Sequence, residues 1–211
     1  STTFDLTMNL SSSPLATVLG RRLRQTGLAL AAALALGAAT APAQAAVLTG
    51  SQLPAGSVVT DFSAPGLLSF DLDLASDGSV LLEFALEAGD LGAPLSFSSV
   101  IRNFTGQGLN RLLFEFSGTT LSSVGSVARG FGGAASVQSG PSFALVSLTP
   151  PEFLDIEIGN PLGRLGQVDW TLDTTGLSAG DRIRVAFSLS EPPALALAAS
   201  LLLAVAALRV R

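Results

Sequence analysis

Four residue types that carry much of protein chemistry are absent from this 211-residue chain: cysteine, histidine, tyrosine and lysine. Without cysteine there is neither a disulfide framework nor a thiolate nucleophile. Without histidine and cysteine, zinc, copper and haem lose their usual ligands, and only metals that bind oxygen ligands, such as calcium, remain. Because neither histidine nor lysine can act as a base, serine hydrolases of the Ser-His-Asp and Ser-Lys kinds are excluded.

Positive charge is scarce in the middle of the chain. Residues 46–190 contain 14 acidic residues and six arginines, whereas the flanking segments are basic. An acidic domain repels nucleic-acid phosphates and anionic lipid headgroups. We therefore predict no nucleic acid among the partners of this protein.

The early part of the chain has the three-part pattern of a secretory signal peptide. Arginines at positions 21, 22 and 24 precede the apolar stretch LALAAALALGAA (28–39). Ala43 and Ala45 then supply small residues at the two positions that a signal peptidase reads. The pattern predicts a signal helix within a 1–45 leader and cleavage after Ala45. The paired arginines leave a twin-arginine signal as an alternative.

From Val58 onward, apolar and polar residues alternate. LLSFDLDL (67–74) places four apolar side chains on one face and three polar ones on the other. The pattern recurs in residues 80–87, 111–117, 153–159, 167–173 and 182–190. Such half-buried strands are typical of antiparallel sheets with one solvated face.

Short Gly- and Asp-containing turns separate these strands, for example Ser76-Asp77-Gly78. Many short strands with regular turns predict an all-β fold, an antiparallel β-sandwich or jelly-roll-like domain over residues 46–189. We expect residues 124–142, which are rich in Gly, Ser and Ala, to form a loose loop or weak strands. Trp170, between Val168 and Leu172, is expected to lie in the core rather than to form a sugar-stacking platform.

Carboxylates are the remaining candidates for chemistry. Asp71, Asp73, Glu83 and Glu87 lie on two strands joined by a short turn, and two carboxylates across a cleft suffice for glycoside hydrolysis. Alternation alone predicts instead that they form the solvated face of a hairpin. Asp71, Asp73 and Asp77 also suggest a calcium site, although their spacing fits neither an EF-hand loop nor a nonapeptide calcium repeat. We expect no catalytic residue, cofactor or metal site.

A second apolar stretch, ALALAASLLLAVAAL (194–208), follows near the end of the sequence. As a helix it would be about 22 Å long, against a hydrocarbon core of about 30 Å. Pro192 and Pro193 are suited to begin a helix, and Arg209 and Arg211 can reach the polar interface beyond it. Arginines after the segment favour a cytoplasmic C terminus. The stretch predicts a transmembrane helix that leaves the β domain outside, in agreement with the signal peptide.

The order of domain, Ser190-Glu191-Pro192-Pro193, apolar helix and terminal arginines resembles the PEP-CTERM sorting signal of exported proteins in Gram-negative bacteria. Glu191 and Pro192 match the second and third residues of the Pro-Glu-Pro motif, and Ser190 stands in place of the first proline. The resemblance covers residues 190–211. It implies recognition by a membrane-embedded exosortase, cleavage near the motif, and delivery from an inner-membrane-anchored precursor to the cell envelope surface or extracellular matrix.

The resemblance implies a destination rather than an activity for the middle domain. Signal peptidase and the exosortase are the expected processing partners, and exopolysaccharide is a candidate ligand. Three functions stay open: a structural or weakly glycan-binding exported protein, a carboxylate-dependent glycan-active enzyme with the same sorting signal, and an unprocessed C-terminally anchored periplasmic protein. The missing general acids and bases favour the first over the second.

Overall fold

The computed structural model describes residues 44–189, and within that range nearly all regular structure is β-strand. The strands are β1 Val47–Gln52, β2 Val58–Asp61, β3 Leu67–Leu74, β4 Ser79–Ala85, β5 Leu95–Asn103, β6 Leu109–Ser117, β7 Thr120–Ser123, β8 Val127–Arg129, β9 Ala134–Gly140, β10 Phe143–Glu152, β11 Asp155–Ile158, β12 Trp170–Asp173 and β13 Arg182–Leu189. A 3-10 turn covers Ala88–Asp90. The predicted all-β class is confirmed.

The two flanking helices predicted from the sequence lie outside the described residues. Within residues 44–189, no helix has the length and apolar character needed to cross a membrane. The boundaries predicted for the leader, the β domain and the sorting segment stay predictions.

The strands form two sheets that share one core. Sheet A has six antiparallel strands in the order β1-β4-β13-β6-β10-β9. Sheet B has seven, in the order β2-β3-β5-β11-β8, with β12 paired to β5 and β7 paired to β12. Strands β12 and β11 share one edge of β5, since β12 pairs with Leu95–Phe97 and β11 with Ser99–Arg102. The result is a sandwich-like arrangement.

The expectation of purely antiparallel sheets is wrong at the centre of sheet B. Strands β3 and β5 are parallel along their length, from the pair Leu67 and Ser96 to the pair Leu74 and Asn103. The reason is that β4, which lies between them in the chain, belongs to sheet A. The chain crosses to the other sheet and returns, so β5 runs in the same direction as β3.

The inner faces of the two sheets are apolar, as the alternation predicts. Phe70 and Phe84 pack across the core with ring centroids 6.2 Å apart, and Phe114 packs edge-on against Trp170 at 5.6 Å. Trp170 is fully buried, which confirms its core position, and its Nε1 donates a hydrogen bond to the carbonyl of Ser126 at 3.1 Å. The other buried core residues of β3, β4 and β6 are Leu68, Leu72, Leu74, Val80, Leu82, Leu109, Leu112 and Phe116.

Some predicted strands are shorter in the structure. Strand β11 begins at Asp155 rather than 153, and β12 begins at Trp170 rather than 167. Val168, expected on the inward side with Trp170, is therefore exposed in the preceding loop. The segment 124–142 does form strands, β8 and β9, joined by a glycine-rich turn.

The chain enters and leaves the domain at opposite ends of sheet A. Val47, at the start of β1, and Arg182, at the start of β13, both pair with Ala85. The other end of β13 pairs Ser188 with Ser79, about 20 Å away along β4. We call the end where β13 finishes at Leu189 the exit end. Five connections between the sheets lie there: 53–57, 75–78, 104–108, 130–133 and 153–154.

Candidate functional site

The predicted sorting motif follows the described domain with almost no linker. β13 is a central strand, paired to β4 on one side and β6 on the other, and its last residue, Leu189, pairs with Leu112. Glu191 is two positions further along the sequence. The residues proposed for sorting, Glu191, Pro192 and Pro193, and the terminal Arg209 and Arg211 lie outside the described residues. Among the described residues, the candidate functional site is therefore the exit end, from which the sorting motif would continue.

A cavity of about 190 Å³ lies beside the point where the chain leaves the domain. Its lining includes Asp77, Gln107, Asn110, Arg111 and Leu189. Cavities that enclose a small molecule are usually larger, about 300–1,000 Å³. Asp77 is the only carboxylate among the described lining residues, so the cavity lacks a carboxylate pair for glycoside hydrolysis.

The exit end also exposes a group of large apolar side chains, Phe104, Phe131, Phe153 and Leu154, which we call the exit-end patch. Phe131 and Phe153 pack edge-to-face with ring centroids 6.4 Å apart. The ring of Phe153 also lies so close to Gly108 that a Cβ there would come within 2.7 Å of it. Because Gly108 lines the cavity beside Leu189, the patch is continuous with the surface around the chain exit.

A buried ion pair supports the patch from below. The side chains of Arg129 and Glu152 are 3% and 0% exposed, and Arg129 Nε donates to Glu152 Oε2 at 3.2 Å. The main-chain N–H groups of Phe131, Phe153 and Leu154 donate to the same carboxylate at distances of 2.9 to 3.1 Å. The guanidinium donates to the carbonyl groups of Ala134, Thr149 and Pro150. One carboxylate and one guanidinium thus fix the backbone of two connections.

Sequence reasoning missed both the patch and the ion pair. The patch residues lie in turns, where no alternation marks them, and Phe153 appeared to begin a strand. The sequence does carry one sign of the patch, namely the composition of the five exit-end connections, in which Asp77 is the only charged residue.

The predicted carboxylate cluster is not brought together. Asp71 and Asp73 lie on the outer face of sheet B, where both bind Arg102, and the Asp73 contact is 2.9 Å. The hydrogen bond that Arg102 donates to Asp73, assisted by the one that it donates to Asp71, raises the pKa of Arg102 above its ordinary value. Glu83 lies on strand β4 of the other sheet. The expectation that these residues share one hairpin face is wrong, because β3 and β4 belong to different sheets.

Glu83 lies between two arginines on the outer face of sheet A. Arg184 Nε donates to Glu83 Oε2 at 2.7 Å, and Arg182 binds the other carboxylate oxygen. These hydrogen bonds, that from Arg184 first, lower the pKa of Glu83. A carboxylate held ionised in this way is poorly suited to act as a general acid at neutral pH.

The aspartates suggested as calcium ligands are not arranged around a common point either. Asp71 and Asp73 are occupied by a guanidinium, and Asp77 lies at the exit end beside the cavity. No group of three or more acidic side chains among residues 44–189 is arranged to hold a metal ion.

Of the two predicted signal-cleavage residues, Ala43 lies outside the described residues and Ala45 is partly exposed. Ala46 is buried in the core, and β1 begins at Val47. A Cβ added at Gly89 would overlap the carbonyl oxygen of Gln44, so the chain here packs closely against the 3-10 turn. A cut after Ala45 would therefore fall at the surface of the folded domain.

No protein-family model, curated protein or solved structure gives a significant match to this chain, so its function is inferred from the sequence patterns and the geometry described above.

Proposed function

We propose that this protein is an exported, non-enzymatic β-sandwich protein, sorted to the cell envelope surface or extracellular matrix through its C-terminal PEP-CTERM-like signal. Its role there is structural or that of a weak glycan binder. The observation that carries the proposal is the direct succession of a central strand, β13, and the Ser190-Glu191-Pro192 sequence. A sorting enzyme that acts near this motif would release the whole folded domain.

The separation of the carboxylates supports a non-enzymatic role. Asp71 and Asp73 lie on sheet B, Glu83 lies on sheet A, and each carries an arginine partner. Glycoside hydrolysis requires two carboxyl groups to flank one bond, within about 5–10 Å. Residues on the outer faces of two packed sheets do not share a cleft, since the sheets themselves are about 10 Å apart.

The sorting proposal is tested by the intact mass of the protein recovered from its own cells. We expect a product that begins at Ala46 and ends near Ser190, and Glu191→Gln should retain the tail in the membrane fraction. The matched control is Glu115→Gln, at an exposed glutamate on β6. Recovery of the complete tail in membranes, unchanged when the exosortase gene is deleted, would show an anchored protein instead.

The non-enzymatic role is tested separately, by glycan-array binding and by reducing-sugar release from exopolysaccharide. We expect binding at most, with no release of sugar. Sugar release that Asp71→Asn or Glu83→Gln abolishes would make the protein a glycan-active enzyme and refute this part of the proposal.

A further inference from the structure

We propose that the exit end of the domain is a membrane-contact surface, and that the exit-end patch of Phe104, Phe131, Phe153 and Leu154 lies in the interfacial layer of the bilayer while the tail anchors the precursor. The inference rests on the proposed function, because it takes residues 194–208 as the membrane segment. It goes beyond that function by assigning a lipid-facing surface to the folded domain.

The first observation is the exposure of the aromatic side chains. Phe104 and Phe131 are 61% and 62% exposed, and Phe153 is half exposed. Removing such a side chain from water is favourable, and phenylalanine is among the residues with which proteins enter the boundary between headgroups and acyl chains. Three of them converge on one end of the domain.

The second observation is the distribution of charge between the two ends. The five exit-end connections contain Asp77 and no other charged residue. At the opposite end, the connections 86–94 and 174–181 contain Glu87, Asp90 and Asp181. Charged side chains are costly to bring to a hydrocarbon boundary. Exposed Arg111 and Asp155 flank the exit end, but its connections carry fewer charges than those of the opposite end, so it approaches lipid at the lower cost.

The third observation is the short reach of the chain after β13. Five peptide steps separate Leu189 from Ala194, the first residue of the apolar run. At full extension they span roughly 17 Å. The headgroup layer on one side of a bilayer is about 5–7 Å thick. If the run is in the membrane, the exit end is held next to the headgroups.

The fourth observation is that the patch is held by internal hydrogen bonds. Glu152 accepts the N–H groups of Phe131, Phe153 and Leu154, and Leu154 in turn accepts the N–H of Asn103 at 3.1 Å. Because these backbone groups already have partners, moving the patch out of water does not leave them unsatisfied. The aromatic rings can enter the interface without a change of the backbone.

The net charge of the domain sets the kind of lipid. Acidic residues outnumber arginines in the domain, so anionic headgroups repel it. The contact should therefore form on zwitterionic vesicles and weaken as anionic lipid is added, most strongly at low salt.

The absence of cysteine allows a direct test with single-cysteine variants of the full chain. Phe104→Cys and Phe153→Cys would be labelled with an environment-sensitive fluorophore and reconstituted into phosphatidylcholine vesicles that contain spin-labelled lipid. The matched control is Phe62→Cys, which lies at the opposite end and is 56% exposed. Ser200→Cys reports whether the tail is inserted, and the emission of the buried Trp170 reports that each variant is folded.

We expect quenching at positions 104 and 153 to be several-fold stronger than at 62, together with strong quenching at 200. Quenching at 200 without quenching at 104 and 153 would overturn the contact surface and leave the anchor intact. Quenching at 104 and 153 without quenching at 200 would support the surface and refute the anchor. Equal quenching at 62 and 104 would also overturn the proposal.

Discussion

Replacing Glu152 by glutamine would remove the negative charge from the least exposed ion pair of residues 44–189. Four N–H groups converge on this carboxylate, from Arg129, Phe131, Phe153 and Leu154, at 2.9 to 3.2 Å. A glutamine offers one acceptor oxygen and two N–H donors in the same space. At least one backbone donor would lose its acceptor, and the guanidinium would lose its counter-charge.

The size of the effect follows from these contacts. Removing one partner of a buried ion pair costs about 3–5 kcal/mol, and a buried N–H without an acceptor costs about 1–3 kcal/mol. The two costs overlap, and Arg129 keeps its hydrogen bonds to three carbonyl groups. We therefore expect Glu152→Gln to lower the free energy of unfolding by about 3–5 kcal/mol. That is a large part of the total of about 5–15 kcal/mol for a domain.

The assay is urea denaturation followed by the fluorescence of Trp170, the only tryptophan, which is buried in the folded state. Glu115→Gln is the matched control, because Glu115 is exposed and makes no ion pair with any described residue. It should change the unfolding free energy by less than about 0.5 kcal/mol.

A double variant separates the ion pair from its backbone contacts. Buried ion pairs replaced by apolar residues often leave stability unchanged. Arg129→Met with Glu152→Met should nevertheless destabilise the domain, because the backbone N–H and carbonyl groups that these two side chains bind would lose their partners. Wild-type stability in the double variant, or a loss below about 1 kcal/mol for Glu152→Gln, would refute this reasoning.

Three further outcomes are expected. The two arginines that lower the pKa of Glu83 stabilise the fold at pH values above the ordinary glutamate pKa, and this stabilisation is lost as the pH falls through the lowered pKa. Glu83→Gln should therefore have a lower melting temperature than wild type at pH 7 and the same melting temperature in acid. A difference in melting temperature that does not change with pH would contradict this reasoning. Gly118→Ala should be much more destabilising than Gly163→Ala in thermal melts, since both have positive φ but only at Gly118 would a Cβ overlap backbone. Phe114→Ala should cost about 3–5 kcal/mol in the urea assay, and a loss under about 1 kcal/mol would show that its cavity is refilled.

Local alternation was sufficient to predict which side chains face the core wherever the strand itself was placed correctly, as Val168, in a loop rather than a strand, was not. Phe70, Phe84, Phe114 and Phe116 all lie where a period of two places them, because the pleat alone decides the face. It could not predict the partner or direction of a strand. Strands β3 and β4 read as a hairpin because four residues separate them, yet the turn joins two sheets. Pairing of this kind depends on contacts between distant parts of the chain.

The same limit applies to the charged residues. That Asp71 and Glu83 point outward was predictable, but their arginine partners lie 31 and about 100 residues away in the sequence. Glu152 follows two prolines and precedes exposed residues, so nothing local marks it as buried. Its burial arises from a guanidinium on β8 and from three backbone N–H groups, which meet only after both sheets have formed.

The position of β13 gives the exit-end patch a consequence for processing. This strand is paired along its length to β4 and to β6, so its end at Leu189 cannot swing away from the domain without breaking both ladders. While the tail is intact, Leu189 at the end of β13 is held within roughly 17 Å of the apolar run, so the exit end stays near the membrane and contact of the patch with lipid needs little affinity of its own. After a cut near Ser190, that constraint is gone, and the attachment of an acidic domain would depend on the exit-end patch alone. If both proposals hold, the patch orients the uncut motif at the membrane surface, and cleavage itself removes most of the attachment.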